Sequence, residues 1–256
     1  MKSRLDLGSR LRAATVHSLG SIAVALLALA LVFFVWYPHP YARIAGGIDL
    51  FRVLVAVDVA LGPLATFAVF DRSKGWPVLR KDLAVILLLQ TGALLYGLHV
   101  LFEARPVALA LEHNRFRVVS ASEVVRDELP AAPEELRTLP LHGPRLLRTE
   151  VPSDEAERME TLTAALAGTD LAQRPRYWRS WDETARAQLR TEARPLDALL
   201  RSAPDAATVL DAAVAGTGLP RDRLRYLPLI ARRAEWVVLV DMQTGDPAGF
   251  AALVGD

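Results

Sequence analysis

The chain has no cysteine. That excludes disulfides, thiolate nucleophiles and cysteine-ligated zinc, and it suits an oxidising or a reducing compartment equally. Histidine is sparse, and His17, His39, His99, His113 and His142 never fall within four residues of one another, so no H-E-x-x-H or related ligand spacing exists. The sequence lacks a G-x-S-x-G elbow and a Walker A loop. Gly216-Thr217-Gly218 has neither the lysine nor the longer glycine pattern of a phosphate cradle, and reads as a helix-ending turn. Asp154, Glu155, Glu157 and Glu160 read as the solvated start of a helix, not a paired-carboxylate site. These gaps point away from an enzyme, and the expected cofactor and metal content is none.

What the chain does have is three apolar runs in its first hundred residues: Leu19–Tyr37, Leu50–Phe70 and Leu83–Phe102. Each holds roughly 19–21 residues, enough at ~1.5 Å per residue to span a ~30 Å hydrocarbon core. The near-neutral total of +1 hides an asymmetry. Residues 1–102 carry ten Lys/Arg against five Asp/Glu; residues 103–256 carry twenty Arg, no Lys and twenty-four Asp/Glu. The basic excess therefore sits beside the membrane and not on a nucleic-acid-binding domain.

Lys2, Arg4, Arg10 and Arg12 precede the first run, and Arg72, Lys74, Arg80 and Lys81 lie between the second and third, whereas the first connection has only Arg43. By the positive-inside rule the N-terminus (1–18) and second connection are cytoplasmic, so residues 103–256 lie outside, in the periplasm. The first run exceeds a signal-peptide core and no clean small-x-small site follows Tyr37, so it reads as a retained anchor. The expectation is a multi-pass inner-membrane protein with spans at about 19–37, 50–70 and 83–102, in contact with the lipid bilayer.

Asp58 is the anomaly within the runs. It lies eight positions into the second, roughly 12 Å deep at helical rise. A carboxylate there costs about 2.5–3.5 kcal/mol and is expected to be protonated, snorkelled or partnered. Asp58, Gly62 and Thr66 recur at i, i+4 and i+8, giving a small, polar face suited to close helix approach. Pro63 frees a carbonyl one turn earlier, near Val59, and predicts a kink. Depth counted from the run ends favours Tyr96 over Gln90 as an internal partner for Asp58. Three readings of this face stand: pairing within the bundle, docking of another protein's transmembrane helix, and an ion pathway, which a lone acid on three spans supports least.

Past Phe102 the periodicity changes. Val107–Glu112 and Phe116–Ser120 alternate around His113-Asn114 as a hairpin. Arg145–Val151 reads as a strand, and Ser153 as the N-cap of a helix closed by Gly168, with Met159, Leu162 and Leu166 as its apolar face. Helices follow over Glu183–Glu192, Pro195–Arg201 and Asp205–Ala215, then strands at Arg225–Ala231, Trp236–Met242 and Gly249–Val254. Residues 103–256 thus predict an α+β domain with an antiparallel sheet. Its strongest surface candidate is Leu171–Trp181, where Arg174, Arg176 and Arg179 interleave with Tyr177, Trp178 and Trp181. Arginine and aromatics anchor protein contacts, or the aromatics pack inward and the arginines are solvated. Arg105, after the third run, is a candidate for lipid phosphate.

A-L-V-F-F-V-W-Y-P, G-G-I-D-L-F, V-D-V-A-L-G-P-L-A-T-F-A-V-F, K-D-L-A-V-I-L-L-L-Q, E-A-R-P-V, R-F-R-V-V-S-A-S-E-V and D-L-A-Q-R-P-R-Y-W together resemble the TfpX/TfpZ family of type IV pilin accessory proteins. The resemblance covers most of residues 15–180 and implies an inner-membrane, chaperone-like helper of pilus assembly. Its partners would be the major pilin (membrane helix and head) and the assembly machinery, with no nucleic acid and no catalytic set. Asp58, Gly62, Pro63 and Thr66 are the candidates for the helix, Arg174, Arg176, Tyr177 and Trp178 those of the outer domain for the head, and Arg105 remains the candidate for lipid phosphate. The alternative is a membrane-anchored periplasmic sensor or ligand-binding protein, for which the short cytoplasmic segments leave no output module.

Overall fold

The structure, a computed structural model, describes residues 7–232 and 235–253. It divides into two compact units. One comprises the helices up to Trp36 and from Gly47 to Glu103; the other comprises Tyr37–Gly46 and the chain from Ala104 onward.

The first unit holds three helices, Leu7–Trp36, Gly47–Val69 and Trp76–Glu103, each long and apolar enough to cross a membrane. Most of their leucines face outward, as expected of helices whose surroundings are themselves apolar. The second helix packs against both others. The first and third touch at one end, where the Trp36 and Phe102 rings meet edge to face at 5.3 Å, and elsewhere meet through the Gln90 side chain, which bonds to His17 and Ser21. The second helix widens into a π-turn at Val57–Leu61, immediately before Gly62-Pro63.

The second unit is built on one eight-stranded sheet: β1 (Pro106–Glu112), β2 (Arg115–Ser120), β3 (Arg145–Thr149), β4 (Trp178–Ser180), β5 (Arg194–Pro195), β6 (Leu224–Ile230), β7 (Trp236–Asp241) and β8 (Asp246–Ala252). Its order is β4-β3-β1-β2-β6-β7-β8, with β5 pairing with β6 off that path. The expected hairpins form: β1 pairs with β2 around His113, which takes the left-handed φ of 56°, and β7 pairs with β8.

The sheet is mixed, however, not antiparallel throughout, because β1–β3 and β2–β6 run parallel. Parallel neighbours need a crossover of a dozen or more residues. The looped stretch 121–144 supplies one, and the helices Glu155–Leu166, Glu183–Glu192, Leu196–Ser202 and Ala207–Thr217 lie within the other. Consecutive strands in sequence are therefore not always neighbours in space. The helix at 155 is capped by Asp154, whose carboxylate accepts from the Glu157 amide at 2.9 Å, in place of the expected Ser153.

β1 is buried along its whole length, as a central strand covered on both faces should be. Ala108 and Ala110 enter a core with Val119, Leu147 and Trp178. Leu109 and Leu111 enter the opposite core with Phe116, Leu189, Leu227 and Val238. That second core also takes Ile44, fully buried, from the connection Tyr37–Gly46. Tyr41 of the same connection packs its ring on Phe250 at 5.6 Å. Burying one such aliphatic side chain stabilises by ~1.5–3 kcal/mol, so this short segment is part of the domain's interior.

Candidate functional site

A polar cluster joins the three apolar helices. Each carbonyl in a π-turn looks to the residue five ahead, which for Asp58 is Pro63, and proline has no N–H. The Asp58 carbonyl accepts instead from Gln90 Nε2 at 2.7 Å. The carbonyl taken up is thus one residue before the one expected near Val59, because of the π-turn.

The same Nε2 donates to Ser21 Oγ at 3.2 Å, and Gln90 Oε1 lies 2.7 Å from His17 Nε2. Since the Asp58 carbonyl can only accept, the Gln90 amide is oriented with its oxygen toward His17. A neutral His17 then carries its proton on Nε2, and Nδ1 accepts from the Thr66 hydroxyl at 2.5 Å. Gly62 leaves the space in which the Gln90 amide lies; a Cβ there would collide with it.

Gln90, and not Tyr96, is therefore the third helix's contribution, and Tyr96 is 71% exposed. The second helix starts at Gly47 and the third ends at Glu103, both beyond the apolar runs, which brings Asp58 and Gln90 to similar depths. Gly62 and Thr66 face partners inside the unit. Asp58 is itself 6% exposed, yet its Oδ1 has no hydrogen-bond partner among the described residues.

Apart from Arg176, the candidates of the domain are turned inward. Arg105 is buried and donates through Nε to the Pro140 carbonyl at 3.2 Å. Arg174 is buried, with its guanidinium 2.8 Å from Glu128 and 2.9 Å from Glu160, over the Tyr177 ring at 5.2 Å. Arg176, half-exposed, reaches the same Glu128 carboxylate at 3.1 Å. The Tyr177 hydroxyl donates to Glu157 at 2.9 Å; burial, and then that bond, hold its phenol above the ordinary range. Trp178 is 2% exposed and donates from Nε1 to the Ala172 carbonyl at 2.8 Å. Basic and aromatic interleaving here builds a buried ion-pair knot that holds the loop on the sheet.

Two features escape sequence reasoning. Glu112 is buried at the end of β1, 3.4 Å from Arg115, and burial first, then the charge of Asp170, pushes its carboxyl above the usual range. Arg117 also bonds to Asp170, so the hairpin end carries a compact charge network. The second feature is the helix Glu155–Leu166, where Met159, Leu162 and Leu166 face solvent, Leu166 with 84% of its surface exposed. Thr161 and the half-buried Ala164 and Ala165 pack beneath instead, small enough to bring the helix close. Among the described residues no group of three His, Asp or Glu side chains could hold a metal.

The family model for the fimbrial assembly protein FimB matches residues 5–46, the first apolar helix and the connection that follows it. Over 228 residues the chain is 35% identical to the fimbrial assembly protein of serogroup I from Dichelobacter nodosus, covering 88% of each protein. It is 34% identical over 232 residues to the serogroup E1 protein of the same organism, again 88% of each. The protein of serogroups C1 and C2 is 39% identical over 117 residues, 46% of this chain and 89% of that one. No solved structure matches. These relatives bear the fimbrial assembly name and not that of TfpX/TfpZ, which leaves the resemblance standing at the broader level of pilus assembly. With similarity along nearly its whole length, the chain belongs to the fimbrial assembly protein (FimB) family.

Proposed function

We propose that this protein is a non-enzymatic accessory factor of type IV pilus assembly, of the TfpX/TfpZ kind, that holds the major pilin in the bacterial inner membrane. The observation that carries the proposal is the near-full-length similarity to named fimbrial assembly proteins. Three apolar helices joined to a folded domain suit a subunit with an apolar anchor and a globular head, because two linked contacts gain from effective concentration. The charge distribution supports a cytoplasmic N-terminus and a periplasmic domain.

Deleting the gene tests this reading. Surface pili and membrane-held pilin are expected to fall together and to return on complementation. Unchanged piliation and pilin level would sink it.

The head contact is proposed at Met159, Leu162 and Leu166, an apolar stripe on a helix whose fold does not need it. Leu162→Asp with Leu166→Asp is expected to change stability by no more than about 0.5 kcal/mol per substitution, as for other surface changes. Pilin recovered with the protein from mild detergent should drop several-fold. Undiminished recovery would remove the stripe from the contact.

A further inference from the structure

The first and third apolar helices meet at Trp36 and Phe102; further along the second spaces them and Gln90 bridges them through His17 and Ser21, which also line the space between. Between them lies an open groove of about 610 Å³. Val16 and Val24 line one wall, and Leu87 and Leu94 the other. Asp58, from the second helix, lines its floor. Arg12 and Arg72 also line it, and neither has an ion-pair partner among the described residues.

We infer that this groove is the seat of a fourth transmembrane helix, the apolar anchor of a pilus subunit, which carries a hydrogen-bond donor level with Asp58 and an acidic group near Arg12 and Arg72. The inference deepens the proposed retention of a pilin and rests on it. Two arguments select a helix over a lipid tail. A buried carboxylate oxygen without a donor is costly in hydrocarbon, and an acyl chain brings no donor, whereas a side-chain hydroxyl, amide or ammonium does. Three helices with an open seam between two of them also lack only one element of a four-helix bundle. Ala13 and Gly20, seven residues apart along the first helix, line the groove and allow a backbone to come close. The two unpaired arginines supply the charge complementarity that sets the direction in which the guest helix lies.

A photo-crosslinking amino acid placed in the full-length protein in piliated cells tests this. Val16 and Leu87 report on the groove; Leu26 and Leu89, exposed and outside it, are the controls. Pilus-subunit adducts are expected from the groove positions and not from the controls. In the Val16 reporter, Asp58→Leu should lower adduct yield about three- to thirty-fold, the equivalent of ~0.6–2 kcal/mol for one interhelical hydrogen bond, while Asp58→Asn retains most of it.

A groove adduct with phospholipid, or with a second copy of this chain, in place of the subunit overturns the inference, as do equal yields from the controls. A subunit adduct from a reporter at Leu162 with none from the groove overturns the groove while leaving pilin retention intact. Absence of subunit adducts everywhere, with pilin levels independent of the gene, overturns both.

Discussion

Glu128→Leu is expected to destabilise the domain by about 3–5 kcal/mol, the cost of stripping one partner from a buried ion pair. Glu128 and Arg174 are both buried, and their contact at 2.8 Å is supplemented by Arg176 and Glu160. Removing the carboxylate leaves the Arg174 guanidinium desolvated with only the more exposed Glu160 in reach. At about 2–4 °C per kcal/mol for a domain of this size, the midpoint of thermal unfolding should fall by roughly 6–20 °C. Adding Arg174→Met should recover most of the loss, because an apolar pair of similar volume carries no desolvation cost. Trp178 packs in the adjoining core and gives a fluorescence readout on the full-length protein in detergent. A midpoint change below about 2 °C for the single variant would mean that the pair does not hold the loop.

Gly62→Leu is the matching prediction for the helical unit. The Gln90 amide fills the space that any side chain at 62 would need. A glutamine end group can usually swing away, but this one makes three hydrogen bonds, to His17, Ser21 and the Asp58 carbonyl, that link all three helices. Overpacking costs ~1–3 kcal/mol and each interhelical bond lost adds ~0.6 kcal/mol, so a total of about 3–5 kcal/mol is expected. Unfolding in mixed detergent micelles measures it. Gln90→Ala alone should cost less than Gly62→Leu. Combined with Gly62→Leu it should add little, since both changes break the same network. Fully additive losses would show that Gly62 is needed for something other than housing the amide.

How far such particulars can be read ahead differs between the two units. The three helices, the β1–β2 hairpin and the C-terminal hairpin follow from run length, alternation and turn residues, which are local properties of the chain. Parallel pairing of β1 with β3 is not local, because it depends on where a long, looped crossover returns. Leu162 and Leu166 have the spacing of a core face, and spacing cannot tell a protein's own core from a surface held for another molecule. Trp178 shows the converse, an aromatic in an arginine-rich run that closes the interior. Asp58 stood out from composition alone, but its neighbour did not: helices extend past their apolar runs, and a shift of a few residues replaces Tyr96 with Gln90.

The connection Tyr37–Gly46 has a consequence for how the molecule can be made and taken apart. Ile44 closes a core whose other members lie between Leu109 and Val240, and Tyr41 meets Phe250 of β8. A ribosome delivers this plug well before the sheet that receives it, so the domain cannot finish folding until β8 has been made. Nor can it be released by a single cut after the third helix. A fragment beginning at Ala104 would leave behind the residue that seals its interior, and a soluble version of the domain needs the ten-residue peptide spliced back.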